Sequence, residues 1–411
     1  MSNVEVKPVA TWRDRRQFIH WPWSLYQNDP HWMPPLIMNL KELLGYTRHP
    51  FHENAEVQTF LARRDGQVCG RIAAIVNHEH NRVFQERRGF FGFFECVNDR
   101  VVSQALFDAA REWLAARGIT QMRGPANPSM NYECGLLIDG FDSAPTFMMT
   151  YNPPYYAELI ESYGFRKTHD LLAYIGYRDQ LPKVESQLGG IAEQAQERCN
   201  AIIRPLDTAR FRQDVELFVD LYNRSLVAMW GFVPLPPDEM RALAASLRHL
   251  LIPELALIAE VDGLAVGAVI GLPDYNPRIR AINGRLFPFG FIHLLRNKKS
   301  VKRIRVLSIN VVPEYQKWGL GLVLMRSLVP KALEVGVEEA EFSWVSEANT
   351  LALGGLRKGG AKHYKTYRMY DFDADLPDAG NRSAAISGAQ PVVDQPIVDQ
   401  PAVGQAAVAQ A

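Results

Sequence analysis

Cysteine is scarce in this sequence, and the few cysteines stand far apart. The 411 residues contain four of them, Cys69, Cys96, Cys134 and Cys199. No two have the Cys-x-x-Cys spacing of a metal or redox motif, so they are most simply reduced thiols. We therefore expect a cytoplasmic protein without a metal ion.

Long apolar runs and an excess of one charge are also missing. No apolar run approaches the ~18 residues that cross a bilayer, and residues 1–16 are charged, unlike a signal peptide. The 45 basic residues balance the 45 acidic residues, so no overall field attracts nucleic acid. A membrane-spanning protein and a nucleic-acid partner are both disfavoured.

Hydrophobic residues make up 47% of the chain, which is enough to bury two cores, and the length suggests two or three domains. The composition changes near the end. From 376 to 411 the residues are mainly Ala, Gln, Pro, Val and Gly, with a pentapeptide echo at 391–405. Such a segment buries too little apolar area to offset its ordering entropy, so we expect a disordered tail.

The most informative stretch runs from residue 303 to residue 335. An apolar, β-branched run ends at Pro313, a turn with Gly319 and Gly321 follows, and a helix is predicted over 322–335. Backbone N–H groups at the start of a helix lack partners inside it, and the helix dipole adds positive charge there. Because the two glycines carry no Cβ atom, the loop suits a pyrophosphate group.

The loop Gln316-Lys317-Trp318-Gly319-Leu320-Gly321 resembles the acyl-CoA loop of the GNAT acyltransferase superfamily, whose pattern is Gln/Arg-x-x-Gly-x-Gly/Ala. A predicted strand over 341–349 and a short helix over 350–358 are similar to the second motif of that superfamily. The resemblance implies an α+β fold with mixed, mostly antiparallel sheets flanked by helices, and acyl-CoA as co-substrate. It implies that acyl-CoA is bound by Ile309, Val311, Gln316, Lys317, Trp318, Gly319, Leu320, Gly321, Leu322 and Asn349.

One departure from the superfamily pattern affects the chemistry. Many GNAT enzymes carry a Tyr four residues before the Gly of a Gly-Phe pair, where it protonates the leaving thiolate. Here Leu356 stands in that place and Ala361 replaces the Phe. Tyr364 and Tyr367 lie nearby, but the alternation over 364–370 indicates a closing strand, so we interpret both as packing residues.

Acyl transfer to an amine also needs a general base, because the acceptor amine must be neutral to attack a thioester. Glu347 is the predicted base, since it ends the strand that lines the cleft. Glu341 and His363 are weaker candidates. The alternative role for Glu347 is that of a surface carboxylate or helix cap.

A succession of hairpin, strand and helix occurs at 57–117 and again at 257–335. This repeat predicts two tandem GNAT-like domains. The predicted boundaries are 1–178 for a degenerate domain, 179–195 for a linker, 196–375 for the acyl-CoA-binding domain with an insertion at 274–302, and 376–411 for the tail.

The first domain lacks the glycine loop. Asp99 is predicted to cap a helix over 100–117, and its carboxylate would repel a phosphate at that position. Only the second half is therefore expected to bind CoA. The first half is either a scaffold alone or part of the acceptor site.

The loop at 124–135 supports a role for the first half in the acceptor site. Its Gly, Pro and Asn content is typical of a long shaped loop, and functional groups tend to lie in such loops. Asn131, Tyr132 and Glu133 are its candidate acceptor-binding residues.

Two aromatic segments admit more than one interpretation. Residues 18–37 hold three tryptophans among prolines, and they form either a cap on a core or an aromatic surface. In the insertion, aromatic rings could enter a membrane while each cation gains on the order of 1 kcal/mol from anionic headgroups. Otherwise the phenylalanines cover the sheet and the cations are solvated; a nucleic-acid surface is the third interpretation. The residues concerned are Phe287, Phe289, Phe291, Lys298, Lys299 and Lys302.

With this insertion, the chain resembles, over residues 5–373, the tandem GNAT proteins that include bacterial ceramide synthases. Those enzymes transfer a long-chain acyl group from acyl-CoA to the amine of a sphingoid base. The resemblance implies an N-acyltransferase for a lipid amine, in peripheral contact with the inner face of the membrane. Two other classes stay open: an N-acetyltransferase that acts on a small amine or a protein with acetyl-CoA, and a non-catalytic acyl-CoA-binding protein, which the missing Tyr favours.

Overall fold

Two successive runs of strands and helices share much of their element order. The computed structural model describes residues 3–227 and 229–373, with the backbone alone at Lys299. The tail at 376–411, expected from the sequence to be disordered, lies outside the described residues.

Before its longest helix, the first run has four strands and three shorter α-helices. Its elements are β1 (Val4–Pro8), α1 (Trp12–Leu25), α2 (Ile37–Leu43), β2 (Ala55–Arg64), β3 (Gln67–Asn77), α3 (His78–Phe84), β4 (Arg88–Cys96), α4 (Arg100–Ala115), β5 (Gln121–Gly124), β6 (Ala126–Asn127), β7 (Glu133–Cys134), β8 (Leu136–Asp139), α5 (Tyr156–Ser162) and β9 (Arg166–Tyr177).

Helix α6 (Leu181–Cys199) connects the two runs, where the sequence predicted a linker over 179–195. The predicted insertion at 274–302 contributes α9 and α10 to the second run. The elements of this run are β10 (Ile202–Pro205), α7 (Phe211–Ser225), α8 (Pro237–Leu247), β11 (Ala256–Val261), β12 (Leu264–Pro273), α9 (Asn276–Ala281), α10 (Gly290–Leu295), β13 (Arg303–Val311), α11 (Pro313–Gln316), α12 (Leu320–Glu334), β14 (Glu339–Ser346), α13 (Thr350–Lys358) and β15 (Lys362–Asp373).

Both hairpins form at the places that the sequence predicts. Asp65 and Gly66 join β2 to β3 with φ angles of 51° and 78°, and Asp262 and Gly263 join β11 to β12 with the same two values. Positive φ at both central residues gives the turn a twist that matches paired strands, and Asp-Gly tolerates it. The two halves therefore form their hairpins with the same type of Asp-Gly turn.

One mixed, mostly antiparallel sheet runs through both halves, as the predicted α+β class requires. Its strand order is β1-β2-β3-β4-β5-β15-β9-β14-β13-β12-β11-β10, and β8 pairs with β15 beside this path. Only β4–β5 and β13–β14 pair in parallel among the described strands. Strands β6 and β7 form a separate two-stranded ribbon.

The two halves exchange their last strands. Strand β9 of the first run pairs with β14 of the second, while β15 pairs with β5 of the first run. Ion pairs accompany the exchange: Arg123 contacts Asp371 at 2.7 Å, and Arg368 contacts Asp170 at 2.8 Å. Each half thus completes the sheet of the other, while the domain boundaries given above stay a prediction.

Helices cover the sheet and bury a separate core in each half. In the first half, Phe91 of β4 and Phe107 of α4 lie in one cluster. In the second half, Val306 of β13 packs with Leu320 and Leu324 of α12 in another. These cores fix the two long helices against their parallel strand pairs, which places a helix N-terminus beside each pair.

Candidate acyl-CoA and acceptor site

Strands β13 and β14 separate halfway along their length. They pair in parallel only where Arg303 to Val306 face Glu339 to Phe342. Beyond these pairs β13 continues to Val311 and β14 to Ser346. The divergence opens a wedge in the sheet, bounded on one side by the last residues of β13.

The glycine loop stands at the open end of this wedge. Gly319 has φ +84° and forms the N-cap of α12 without a side-chain cap. Within the described part of the chain, the backbone N–H groups of Gly319, Leu320 and Gly321 donate no hydrogen bond. Unpaired amides at the positive end of a 15-residue helix suit an anion. The predicted strand, loop and helix are confirmed, with the helix beginning at Leu320 rather than Leu322.

The two glycines differ in the room around them. A Cβ atom on Gly319 would lie 3.0 Å from Cβ of Ala195 in α6, whereas one on Gly321 would lie 3.8 Å from Ile309, an ordinary contact. Helix α6 also pairs with α12 through Arg326, which donates to Glu185 and Glu193 at 2.8 and 2.7 Å. The connecting helix therefore lies against the loop and fixes its position.

The structure brings most of the predicted cofactor-binding residues to this loop. Ile309 and Trp318 expose 38% and 42% of their surface, and Lys317 is exposed. Gln316 ties the loop to β13 through a 2.9 Å bond from its Nε2 to the Val311 carbonyl. Val311 is itself buried and Leu322 is half-buried. Their role as acyl-CoA ligands stays a prediction.

Asn349 has a structural contact of its own. Its Oδ1 accepts from the backbone N–H of Ala352 at 3.1 Å and caps α13. This helix spans Thr350–Lys358, as the sequence predicts. A contact of Asn349 with acyl-CoA remains a prediction.

In the first half, the corresponding helix start is already occupied. Asp99 accepts from the Val101 N–H at 2.8 Å and from Arg64 at 2.7 Å. The bond from Arg64 and the backbone N–H groups lower the pKa of Asp99. The wedge is filled too, since a Cβ on Gly92 would lie 1.8 Å from the carbonyl oxygen of Ala126. The predicted cap by Asp99 is confirmed, and its fixed carboxylate disfavours phosphate there.

On the other side of the wedge, helix α7 meets the Gly/Pro/Asn-rich loop of the first half. Asn131 donates to the Val233 carbonyl at 2.9 Å and accepts from the Tyr222 hydroxyl at 3.4 Å. One turn further along α7, Ser225 donates to Asn310 of β13 at 3.3 Å. A loop of the first half thus reaches the helix that faces the diverging strand of the second half.

Tyr132 and Glu133 have different surroundings in this loop. Tyr132 is buried, and its hydroxyl donates to Glu239 at 2.7 Å. Glu133 is partly exposed, and its carboxyl group has no hydrogen-bond donor in the described part of the chain. Burial raises the pKa of Glu133 to about 7, with Arg305 acting in the opposite direction. Whether these residues bind an acceptor stays a prediction.

A buried cluster of polar side chains lies at the base of the wedge, and it contains Glu341, one of the weaker candidates for the base. Glu341 is fully buried and accepts from the hydroxyls of Ser343 and Tyr364. Arg305, 2% exposed, donates to Ser343 at 2.9 Å and to the Met148 carbonyl at 2.9 Å. These hydrogen bonds take the place of water around the two buried side chains. No local pattern marks buried charges, because such residues are usually exposed.

The closing strand confirms the packing role of its tyrosines. Tyr367 is fully buried in the core shared by the halves, and Tyr364 packs against that core. Their neighbour Lys365 is also fully buried and donates to the carbonyls of Gly140 and Ser143. Burial lowers the pKa of Lys365 to about 8. His363 contacts Thr366 at 3.0 Å.

Glu347, the predicted base, is held by two donors. Lys167 donates to it at 2.8 Å and the N–H of Asp170 at 3.0 Å. Burial alone would raise the pKa of Glu347, but these bonds outweigh it and the pKa lies below its usual value. A lower pKa weakens a general base. The catalytic role of Glu347 stays a prediction.

The insertion exposes its phenylalanines. Phe287, Phe289 and Phe291 are 73%, 74% and 43% exposed, so the interpretation that they cover the sheet is wrong. The buried hydrophobic residues of the insertion include Tyr275, Ile279 and Leu294.

The cations of the insertion differ in their surroundings. Lys302 pairs with Glu338 at 2.7 Å. Burial lowers the pKa of Lys298.

The N-terminal aromatic segment acts mainly as a cap. Phe18 and Ile19 of α1 are buried, and Trp32 stacks on Tyr26 with centroids 5.1 Å apart. Trp23 donates to Asn283 of the insertion at 2.6 Å. The first half therefore supports the insertion through this segment.

Comparisons with known proteins give relatives over nearly the whole chain. No protein-family model matches. The chain is 36% identical over 383 residues to the bacterial ceramide synthase of Caulobacter vibrioides (strain NA1000 / CB15N), covering 90% of this chain and 97% of that protein. It is 34% identical over 375 residues to protein YghO of Escherichia coli (strain K12), with 89% and 94% covered.

A solved structure shows the same fold. It is a tandem GNAT protein from the clavulanic acid biosynthesis pathway, with a TM-score of 0.55, 12% identity, and 92% of this chain and 100% of that chain covered. Among residues 3–227 and 229–373, no helix is long and apolar enough to cross a membrane. The same residues contain no cluster of three metal-ligating side chains.

Proposed function

This chain belongs to the GNAT N-acyltransferases, within the tandem family that includes the Caulobacter ceramide synthase and YghO, and we propose that it moves a long-chain acyl group from acyl-CoA to the amine of a sphingoid base. The observation that carries the proposal is the 36% identity over 90% of the chain to a ceramide synthase. The free amides at Gly319 to Gly321 support it, since they fit a pyrophosphate.

The mechanism that we propose is direct transfer in a ternary complex. The amides of the loop bind the pyrophosphate of acyl-CoA, and the diverging part of β13, from Leu307 to Val311, orients the pantetheine arm. A backbone N–H group of this strand polarises the thioester carbonyl as negative charge develops on its oxygen. The neutral amine then attacks the carbonyl carbon, and CoA leaves as the thiolate. With Leu356 in place of a tyrosine, a proton from the former amine or from water neutralises that thiolate.

A general base completes the scheme. Glu347 is the residue that the sequence predicts for this role, and it lies at the end of β14, beside the wedge. Its bond with Lys167 would have to break, or be shared, for Glu347 to take a proton. Variation of Glu347 is therefore part of the tests below.

Peripheral membrane contact through the insertion belongs to the same proposal. Phe287 and Phe289 are nearly three-quarters exposed at its tip, and the cation Arg296 stands exposed close by in sequence. Exposed rings with adjacent cations fit the boundary between headgroups and acyl chains of an anionic bilayer. Both the long-chain acyl-CoA and a sphingoid base would be delivered from such a surface. The cations proposed to contact the headgroups are Lys298, Lys299 and Lys302.

Amide formation tests the proposal. Purified protein is incubated with palmitoyl-CoA and a sphingoid base, and the N-acyl product and free CoA are quantified by mass spectrometry. We expect equal amounts of amide and CoA, dependent on both substrates. Tight binding of palmitoyl-CoA without turnover would favour the non-catalytic alternative, and turnover only with acetyl-CoA and a soluble amine would favour the N-acetyltransferase.

A further inference from the structure

The loop from Gly124 to Gly135 places one carboxyl group of the first half against the second half. Glu133 lies in β7, where it pairs with Asn127. The two residues before it contact the second half: Asn131 bonds with Tyr222 of α7 and the carbonyl of Val233, and Tyr132 bonds with Glu239 of α8. Glu133 therefore lies where this loop meets the second half.

The surroundings of Glu133 include the base of the wedge. Its carboxyl group interacts electrostatically with Arg305, which belongs to the last residues of β13 that still pair with β14. The Arg305 guanidinium also lies 5.3 Å from the ring of Trp344, on the opposite strand. Glu133 is thus directed at the point where the two strands begin to diverge.

Several polar groups around this point are left without partners. In the described residues, Trp344 Nε1 and the hydroxyl of Tyr367 are buried without a hydrogen bond. Tyr367 is fully buried and interacts electrostatically with Arg305. Buried polar groups without partners are uncommon and call for an explanation. A ligand that carries hydroxyl and amine groups would provide the missing partners.

The other carboxyl groups near the wedge are already engaged. Glu341 accepts from Ser343 and Tyr364, and Glu347 accepts from Lys167 and the Asp170 N–H. A base must have a free lone pair within reach of the proton that it removes. Glu133 is the carboxyl group at this place whose oxygens receive no donor from the described chain.

We infer that Glu133 of the first half is the general base for the reaction at the second half, and that it binds the acceptor as its ammonium ion. The inference rests on the proposed function and adds a catalytic role for the first half. The Glu133 carboxylate takes one proton from the ammonium ion and leaves a neutral amine. The nitrogen lone pair forms the C–N bond, and the C–S bond breaks with its electron pair on sulfur. The second nitrogen proton neutralises the thiolate, and Glu133 returns its own proton to solvent.

The protonation of Glu133 predicts a pH dependence. The charged and titratable groups that interact with it are Arg305 of β13 and the adjacent Cys134. The two residues before it bond with Tyr222 of α7 and Glu239 of α8. Since burial raises the pKa of Glu133 to about 7, the active carboxylate forms as the pH rises through that value. The acceptor amine loses its own proton at higher pH, which removes the ammonium ion that Glu133 binds, so kcat/KM of the wild type falls again there.

Four variants test this inference: E133Q, E133D, E347Q and the surface control E158Q. We expect E133Q to lower kcat by about 100-fold or more, the usual contribution of a positioned base, with an unchanged Kd for palmitoyl-CoA. The rise in kcat/KM near pH 7 should disappear in E133Q, which should gain rate only at higher pH, where the acceptor amine is itself neutral. E133D should recover part of the rate. E158Q, which alters a surface pair with Arg100, should keep the wild-type rate and profile.

The outcomes separate this inference from the proposed function. If wild type forms no N-acyl product, the proposed function fails. If wild type is active and E133Q keeps its rate and its rise near pH 7, the assignment of Glu133 is wrong. The same conclusion follows if E347Q, rather than E133Q, loses that rise. A loss of palmitoyl-CoA binding or of the melting transition in both E133Q and E133D would assign Glu133 a structural role and also overturn the inference.

Discussion

The methyl group of Ala195 in α6 lies against Gly319 of the glycine loop, 3.0 Å from the position that a Cβ atom on Gly319 would take. Gly319 also has φ +84°, which L-residues with a side chain rarely adopt. The connecting helix and the acyl-CoA loop are therefore fitted to each other. Changes at the two loop glycines should have different consequences.

Substitution of Gly319 should reduce stability. A Cβ atom at this φ costs roughly 1–2 kcal/mol, and the contact with Ala195 adds strain. We expect Gly319→Ala to lower the free energy of unfolding by about 2 kcal/mol in urea titrations. Gly190→Ala, on the same connecting helix with no atom near its Cβ position, should be neutral or stabilising. Equal effects of both changes would contradict the close fit of α6 and the loop.

Substitution of Gly321 should affect binding instead. Its Cβ position meets only Ile309, at 3.8 Å, so Gly321→Ala should fold normally. In Gly321→Glu, a carboxylate stands beside the free amides, and we expect the Kd for palmitoyl-CoA to rise at least about tenfold, which is ~1.4 kcal/mol. Isothermal titration calorimetry measures this, with Gly354→Glu on α13 as the matched control. Unchanged affinity in Gly321→Glu would show that the pyrophosphate does not bind at this loop.

Asp371 of β15 should contribute strongly to the exchange of strands. It pairs with Arg123 at 2.7 Å and Arg88 at 3.1 Å, and both arginine side chains are about nine-tenths buried. Asp371→Asn removes the carboxylate partner of Arg123 and leaves Arg88 with Glu86 alone, at 3.0 Å. We expect a loss of roughly 2–3 kcal/mol, below the full cost of breaking a buried pair because Asp371 is partly exposed. Urea denaturation measures this loss.

The control for Asp371 is Glu334→Gln, which breaks an exposed pair with Lys331. Such a pair contributes about 0–1 kcal/mol. A loss in Asp371→Asn no larger than in this control would show that the ion pairs do not hold the exchanged strands.

Asp274 should make stability depend on pH. It is 6% exposed, and its Oδ1 accepts from the N–H groups of Phe147 and Asn276 at 3.0 and 3.1 Å. Burial raises the pKa of Asp274 to about 6. Since the unfolded chain gives up this proton near pH 4, the folded state holds more protons between these values. The stability contributed by Asp274 is thus present below about pH 4 and is lost as the pH rises to about 6.

Asp274→Asn tests this pH dependence, because an amide oxygen can accept the same two bonds. We expect the free energy of unfolding of the variant, relative to that of wild type, to rise by about 1.4 kcal/mol per pH unit between pH 4 and 6. Urea titrations at about pH 5 and pH 7.5 give the comparison. If the stabilities of the two proteins change in the same way across this range, the pKa of Asp274 is not raised in the folded protein.

The exposed phenylalanines should control membrane binding without affecting soluble acyl-CoA. We expect Phe287→Ser with Phe289→Ser to reduce binding to anionic vesicles at least about tenfold, because fully burying each ring contributes roughly 1.5–3 kcal/mol. Vesicle sedimentation measures this, and an unchanged melting temperature confirms the fold. Trp12→Ser, 67% exposed on α1, is the control. Equal vesicle binding by all three proteins would exclude the insertion as a membrane contact.

The sequence predicts the local features of this fold well. The Asp-Gly hairpins, the cap by Asp99 and the glycine loop each depend on residues within a few positions of one another. The exchange of β9 and β15 was not predicted, because strand pairing over some two hundred residues leaves no local pattern. The same holds for Arg305 and Glu341, whose burial depends on partners from distant segments. The position of Glu133 against the second half also became visible only in three dimensions.

The measurement that tests the central proposal most directly is a competition between acyl donors. Equal concentrations of palmitoyl-CoA and acetyl-CoA are mixed with the protein and a sphingoid base, and both amides are quantified by mass spectrometry at early times. We expect the N-palmitoyl product to dominate and, at acyl-CoA concentrations below the Kd, to form at least about tenfold more slowly in Gly321→Glu. A dominant N-acetyl product, or no amide from either donor, would contradict long-chain N-acylation as the function of this protein.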